Sequence, residues 1–195
     1  VGRGERPVSN QERGEPRKFG MLLQDIVGIE AIINRVVVHM PLKQQMEWIK
    51  QTYSKYEIDN LIIVGGESSK QKYPGPTVNE SLEKISKDNI LRENNILCGG
   101  ICIPSRKKES KNLIKKSECG AEFFTTQVLC DSSNVIKMIK NYQERCDKGN
   151  TFPRRILLSF APVSSQKNID FLKWLGVEIP KDTERYLNGR PGSMI

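Results

Sequence analysis

An α/β fold of parallel strands joined by crossover helices is predicted by three features of this 195-residue chain. Apolar runs of strand length alternate with segments of helical period. The runs are dense in Ile and Val, as in strands covered on both faces. Helix-capping and turn residues fall between the two kinds of segment, where a βα repeat needs them.

Residues 1–16, through Glu15-Pro16, are rich in Gly, Pro, Arg and Glu and carry no apolar period, so they read as an extended arm. The organised domain spans 17–195. Ile32 to Met40 is its first strong strand, and Leu42, Met46, Ile49 and Tyr53 then recur as one helical stripe. The next strand, Asn60 to Val64, runs into Gly65-Gly66-Glu67, and Val78, Leu82 and Ile85 mark a shorter helix with Thr77 or Asn79 near its start as a cap. Ile96 to Ile103 is a third strand, followed by a helix from Lys108 to Cys119 that Gly120 closes. Phe123 to Leu129 is a fourth strand. Asp131, Ser132 or Ser133 caps the helix bearing Val135, Ile139, Tyr142 and Cys146. A fifth strand, Arg155 to Phe160, precedes a helix that starts at Ser164 or Ser165, carries Ile169, Leu172 and Leu175, and stops at Gly176. Five such units fit either a doubly wound sheet or a slice of an eight-stranded barrel, and periodicity alone does not choose.

The formal charge of +8, from 31 basic and 23 acidic residues, favours an anionic ligand. Nucleic acid is not the expected partner, because the basic runs Arg106-Lys107-Lys108 and Lys115-Lys116 lack interleaved aromatics. Five cysteines occur without a Cys-x-x-Cys pair or a Cys/His cluster, so no metal site is expected and reduced thiols in a cytoplasmic protein are. The longest apolar stretches are strand-sized, too short to cross a bilayer.

In both parallel architectures ligands sit at the carboxyl ends of the strands. The polar residues there are His39, Glu67, Arg106, Gln127 and Ser164-Ser165. Gly65-Gly66-Glu67 lets backbone approach a bound ring or phosphate beside a carboxylate, or serves simply as a tight turn. No Gly-x-Gly-x-x-Gly or Gly-x-x-x-x-Gly-Lys-Ser/Thr loop is present. His39, the only histidine, reads first as a hydrogen-bonded structural residue. Lys115-Lys116 reads first as a solvated helix face, and Cys98 and Cys102, four apart on one strand, as core. Gln127 lies in an otherwise apolar strand. A buried amide there needs a partner, in the protein or in a ligand.

Taken together, these segments resemble the methylenetetrahydrofolate reductase family from His39 to Leu187. Gly120-Ala121-Glu122-Phe123-Phe124-Thr125-Thr126-Gln127 with Asp131 is similar to the family's Gly-Ala-…-Thr-Gln-…-Asp strand. Ala161-Pro162-Val163-Ser164 is similar to its Leu-Pro-Val-Ser, and Val177-Glu178-Ile179-Pro180 to its Val-x-Ile-Pro. Val64-Gly65-Gly66-Glu67 stands where the family has Leu-Arg-Gly-Asp.

The resemblance implies a (β/α)8 barrel of the TIM type, of which this chain covers about five to six βα units and is incomplete at both ends. It implies an oxidoreductase of one-carbon metabolism, in which FAD reduced by NAD(P)H passes hydride to 5,10-methylenetetrahydrofolate. Glu67 then takes the place of the family's aspartate beside flavin and pterin, as a catalytic and substrate-binding residue, and Gln127 that of the glutamine on the folate. His39, Gly66, Tyr73, Asn112 and Lys116 fall at flavin-contacting positions. The basic balance suits a folate with a polyglutamate tail. The chain departs from the family at Gly65, where an arginine contacts flavin, and at Gln166, where an aromatic residue stacks on substrate. The family's general-acid glutamate ends a first barrel strand, and the segment before His39 has the length of about one helix and one strand. A non-catalytic folate- or nucleotide-binding barrel, acting as a homo-oligomer or with a partner subunit, is therefore the alternative expectation.

Overall fold

The computed structural model describes residues 15–66, 71–163 and 165–188. Glu67 and the arm up to residue 14 lie outside the described residues. In chain order the elements are α1 (Pro16–Val27), β1 (Ile32–Val36), α2 (Leu42–Tyr56), β2 (Asn60–Val64), α3 (Val78–Ser86), α4 (Asn89–Glu93), β3 (Leu97–Cys102), α5 (Glu109–Glu118), β4 (Phe123–Val128), α6 (Ser132–Lys148), β5 (Arg155–Ser159), α7 (Gln166–Trp174) and α8 (Lys181–Asn188).

The five strands form one sheet in the order β1-β2-β3-β4-β5, each pair parallel. A doubly wound sheet needs a reversal of strand order and helices on both faces; neither occurs among the described residues. Ile33, Leu61, Ile63, Cys98, Cys102 and Phe124 alternate along the strands on one face and share a core with Met46, Ile49, Leu82, Ile85, Leu113, Met138 and Tyr142 of the helices. The opposite face carries exposed Ile32, Val36, Leu97 and Leu157. Sequential order, one helical layer and an open inner face make the chain a segment of a (β/α) barrel.

Several expectations are corrected at element boundaries. Glu15 and Pro16 belong to α1 rather than to the arm: the Glu15 carboxylate accepts from the Arg17 N–H, Pro16 occupies the first turn and Gly28 closes the helix in the left-handed region. Arg17 ties α1 to α2. Its guanidinium lies 4.2 Å from the centre of the Trp48 ring and 4.6 Å from that of Tyr56, and donates to the Trp48 carbonyl at 3.2 Å. β1 stops at Val36, not Met40, because residues 38–40 turn into α2. It is covered on one face only. Thr77, Asp131 and Ser165 are the caps of their helices, and Thr77 forms a reciprocal box with Glu80.

Candidate functional site at the strand carboxyl ends

Gly75 fixes the approach of the loop after β2 to the turn after β1. Its N–H donates to the Val38 carbonyl at 2.8 Å, and a Cβ at this position would come within 2.4 Å of the Met40 carbonyl oxygen. The loop thereby delivers Tyr73 onto Gly66, where an added Cβ would meet the Tyr73 ring at 2.3 Å. The Tyr73 ring also meets exposed His39 edge-on, with centroids 5.6 Å apart. His39 from one segment and Gly66 and Tyr73 from the next thus gather beside the carboxyl ends of β1 and β2. The histidine makes its ring contact from an exposed turn, not from the core.

A second group surrounds Glu109, which sequence reasoning did not single out. This carboxylate is 2% exposed. It accepts from the Ile103 N–H at 3.1 Å and from the Asn112 amide at 3.0 Å, with the Arg106 guanidinium at 3.5 Å and the Lys116 ammonium at 3.7 Å. Lys116 also donates to the Ile101 carbonyl. Its side chain runs beneath β3, so it is not on a solvated face as Lys115 is. Burial pulls the Lys116 pKa down, and the facing Glu109 opposes this. Cys102, buried nearby, has its thiol pushed up to about 12 by desolvation, and Cys98 behaves alike; both are inert core residues. The signal for Glu109 was a carboxylate in the first turn of a helix directly after a strand, a position that favours negative charge.

Gln127 sits in the third group. Thr125 lies opposite Leu157 whereas Val128 lies opposite Ser159, so β4 carries an extra residue, a bulge at Thr126–Gln127. Thr126 Oγ1 accepts from the Ser159 N–H at 2.8 Å, replacing a ladder carbonyl, and the Thr125 and Ser159 hydroxyls lie 3.2 Å apart. The Gln127 amide is only half-buried and donates to the Leu175 carbonyl at the end of α7, at 3.3 Å. Its partner is main chain, and the amide stands at a solvent-reachable strand end.

Whether these residues suit FAD can be judged from the first two groups. His39, Gly66 and Tyr73 come together, but the Asn112 amide and Lys116 ammonium are already engaged by Glu109 and the Ile101 carbonyl. As arranged they do not fit a flavin pyrophosphate. Glu67 and Ser164 lie outside the described residues.

The fold and these strand ends define a segment of a (β/α)8 barrel with its polar groups at the carboxyl rim. No protein-family model and no curated protein matches the chain. Among solved structures it is similar to an uncharacterised protein from Clostridium thermocellum that binds two copies of 5-methyl-5,6,7,8-tetrahydrofolic acid, with a TM-score of 0.74 and 20% identity. That match covers 91% of this chain and 60% of the other, so the chain spans about three fifths of that protein's length. Fainter likenesses are to 2,3-dimethylmalate lyase, of the PEP mutase/isocitrate lyase superfamily (TM-score 0.49, 12% identity, 91% of this chain and 73% of that one), and to a rubisco-like protein from Alicyclobacillus acidocaldarius (0.42, 11%, 73% and 36%). No helix among the described residues is long and apolar enough to cross a membrane.

Proposed function

We propose that this chain contributes to a barrel that binds a reduced folate at the carboxyl ends of its strands. The observation that carries it is the bulge at Thr126–Gln127, which sets an amide at the rim within a strand resembling the folate-contacting strand of methylenetetrahydrofolate reductases. The amide offers both a donor and an acceptor to the polar edge of a pterin. The folate-binding protein from Clostridium thermocellum, similar in fold over 91% of the chain, supports the same ligand class. Titration of the purified chain with 5-methyltetrahydrofolate, followed by calorimetry, tests it: saturable binding at one or two sites is expected, and no heat at high micromolar ligand sinks it.

A second reading adds catalysis: hydride transfer from FAD, reduced by NAD(P)H, to 5,10-methylenetetrahydrofolate, with Glu67 beside the reacting rings. It is favoured by the gathering of His39, Gly66 and Tyr73, three of the five positions the family resemblance gives to flavin. The arrangement of Asn112 and Lys116 favours folate binding alone. Bleaching of added FAD by NADH or NADPH, followed by reoxidation with methylene-folate, separates the two. Folate binding without either half-reaction leaves the binding role standing and removes the reductase.

A further inference from the structure

The outer helical layer carries a second concave feature, away from the Gln127 bulge. A groove of about 450 Å³ runs between the loop after β3 and one face of α6. The loop contributes Arg106, Lys107 and Lys108, and α6 contributes Lys137, Arg145 and Lys148. A second hollow shares Arg145 and Lys148 and continues along the seam with Lys111 and Lys115 of α5. The eight basic side chains face few acids. Glu109 is buried and already satisfied, which leaves Glu118 and Glu144. Arg145 is held in place by its Nε–H donating to Ser110 at 3.1 Å. Among the described residues, no carboxylate pairs with Lys107, Lys108, Lys111, Lys115, Lys137 or Lys148. Excess charge of one sign, concentrated in a concave seam, attracts and orients an oppositely charged chain.

From this seam we infer a docking site for an extended acidic polypeptide segment of a partner protein. The length agrees: α6 has 17 residues, hence about 25 Å at about 1.5 Å per residue, enough for about seven or eight residues of extended chain. The lining decides between anionic partners. It contains no aromatic side chain on which bases would stack, which disfavours single-stranded nucleic acid. It does contain the half-buried apolar Ile114, which suits the side chains interspersed in an acidic peptide. Gln127 lines neither hollow, so an occupant of the seam makes no contact with that amide.

The test uses the whole chain and a fluorescent decapeptide of alternating glutamate and leucine, read by anisotropy at low and physiological salt. Binding that weakens steeply with salt is expected, together with a loss of tenfold or more in Lys137→Glu/Lys148→Glu. The exposed pair Lys43→Glu/Lys167→Glu changes net charge equally elsewhere and is expected to shift affinity less than threefold. Circular dichroism on both variants verifies folding. Equal losses in the two variants would overturn the seam, since net charge alone would then explain binding. Tighter, seam-dependent binding of a fluorescent oligouridine would overturn the peptide assignment in favour of nucleic acid.

Discussion

The Gln127 amide stands half-buried at the rim because the register between β4 and β5 slips by one residue at the bulge, and it donates to the Leu175 carbonyl. Gln127→Ala is expected to weaken binding of 5-methyltetrahydrofolate by more than tenfold, because the ligand's polar edge would lose its partner; calorimetry measures it, and unchanged affinity would assign the amide to the Leu175 carbonyl alone. Glu109 drew no attention because a carboxylate near basic residues normally lies in solvent. Only the packing of α5 on β3 buries it. Removing it leaves Lys116 buried without its countercharge, so Glu109→Ala should cost about 3–5 kcal/mol in urea unfolding. Lys116, expected on a solvated face, is pulled under the sheet by the same contact.

At the scale of elements, strand centres were readable because parallel strands concentrate Ile and Val, whereas their ends were set by turns that tertiary contacts decide. Val37 still donates to the Val64 carbonyl, yet the chain turns away at Val38. The segment before His39 has room for one helix and one strand, but α1 is given no bounds by periodicity despite Pro at its start and Gly at its end. Its apolar residues Phe19, Leu22 and Ile26 are exposed, and the helix is held by Arg17 together with a narrow contact at Gly20 and Met21 rather than by a long apolar stripe. The short α4 was missed, and its cap gives a pH-dependent contribution. The Asp88 carboxylate accepts from the Leu91 N–H at 3.3 Å and pairs with Lys50 at 2.9 Å, and chiefly the Lys50 contact holds its pKa below the usual carboxylate value. A depressed folded pKa contributes stability above the unfolded value and loses it as pH falls through the folded one. Asp88→Ala should therefore cost about 1 kcal/mol near neutrality. That difference should shrink as the pH falls below the usual aspartate range, which urea midpoints at neutral and acid pH will read.

The whole molecule was legible as five parallel βα units, but periodicity left barrel and doubly wound sheet equal. What separates them is that every strand lies beside its sequence neighbour and all the helices of the core share one face. The price of a segment is its inner surface: Ile32, Val36, Leu97 and Leu157 are 42%, 39%, 41% and 38% exposed. This chain on its own should bind anilinonaphthalene sulfonate in the folded state, and Val36→Ser/Leu157→Ser should reduce the fluorescence. No dye binding by the native chain would mean that the inner face is covered.

The sequential strand order also sets how the chain assembles and frays. Each strand finds its partner one crossover away, so contacts are local in sequence and no long loop must close before the sheet gains a neighbour. A sheet built that way resembles a stack of repeats, with cooperativity passing from unit to unit. Its openings should begin at the two ends, where β1 and β5 have one neighbour each, while β2, β3 and β4 exchange their amide hydrogens last. Protection measured strand by strand would read that gradient directly, and uniform protection would mean that the five units open as one. The Thr126–Gln127 bulge lies on the last internal strand, against the edge strand β5. The proposed folate contact is thus set beside the part of the sheet that opens first, and a ligand gripping Gln127 would slow exchange in β5 before it did so anywhere else.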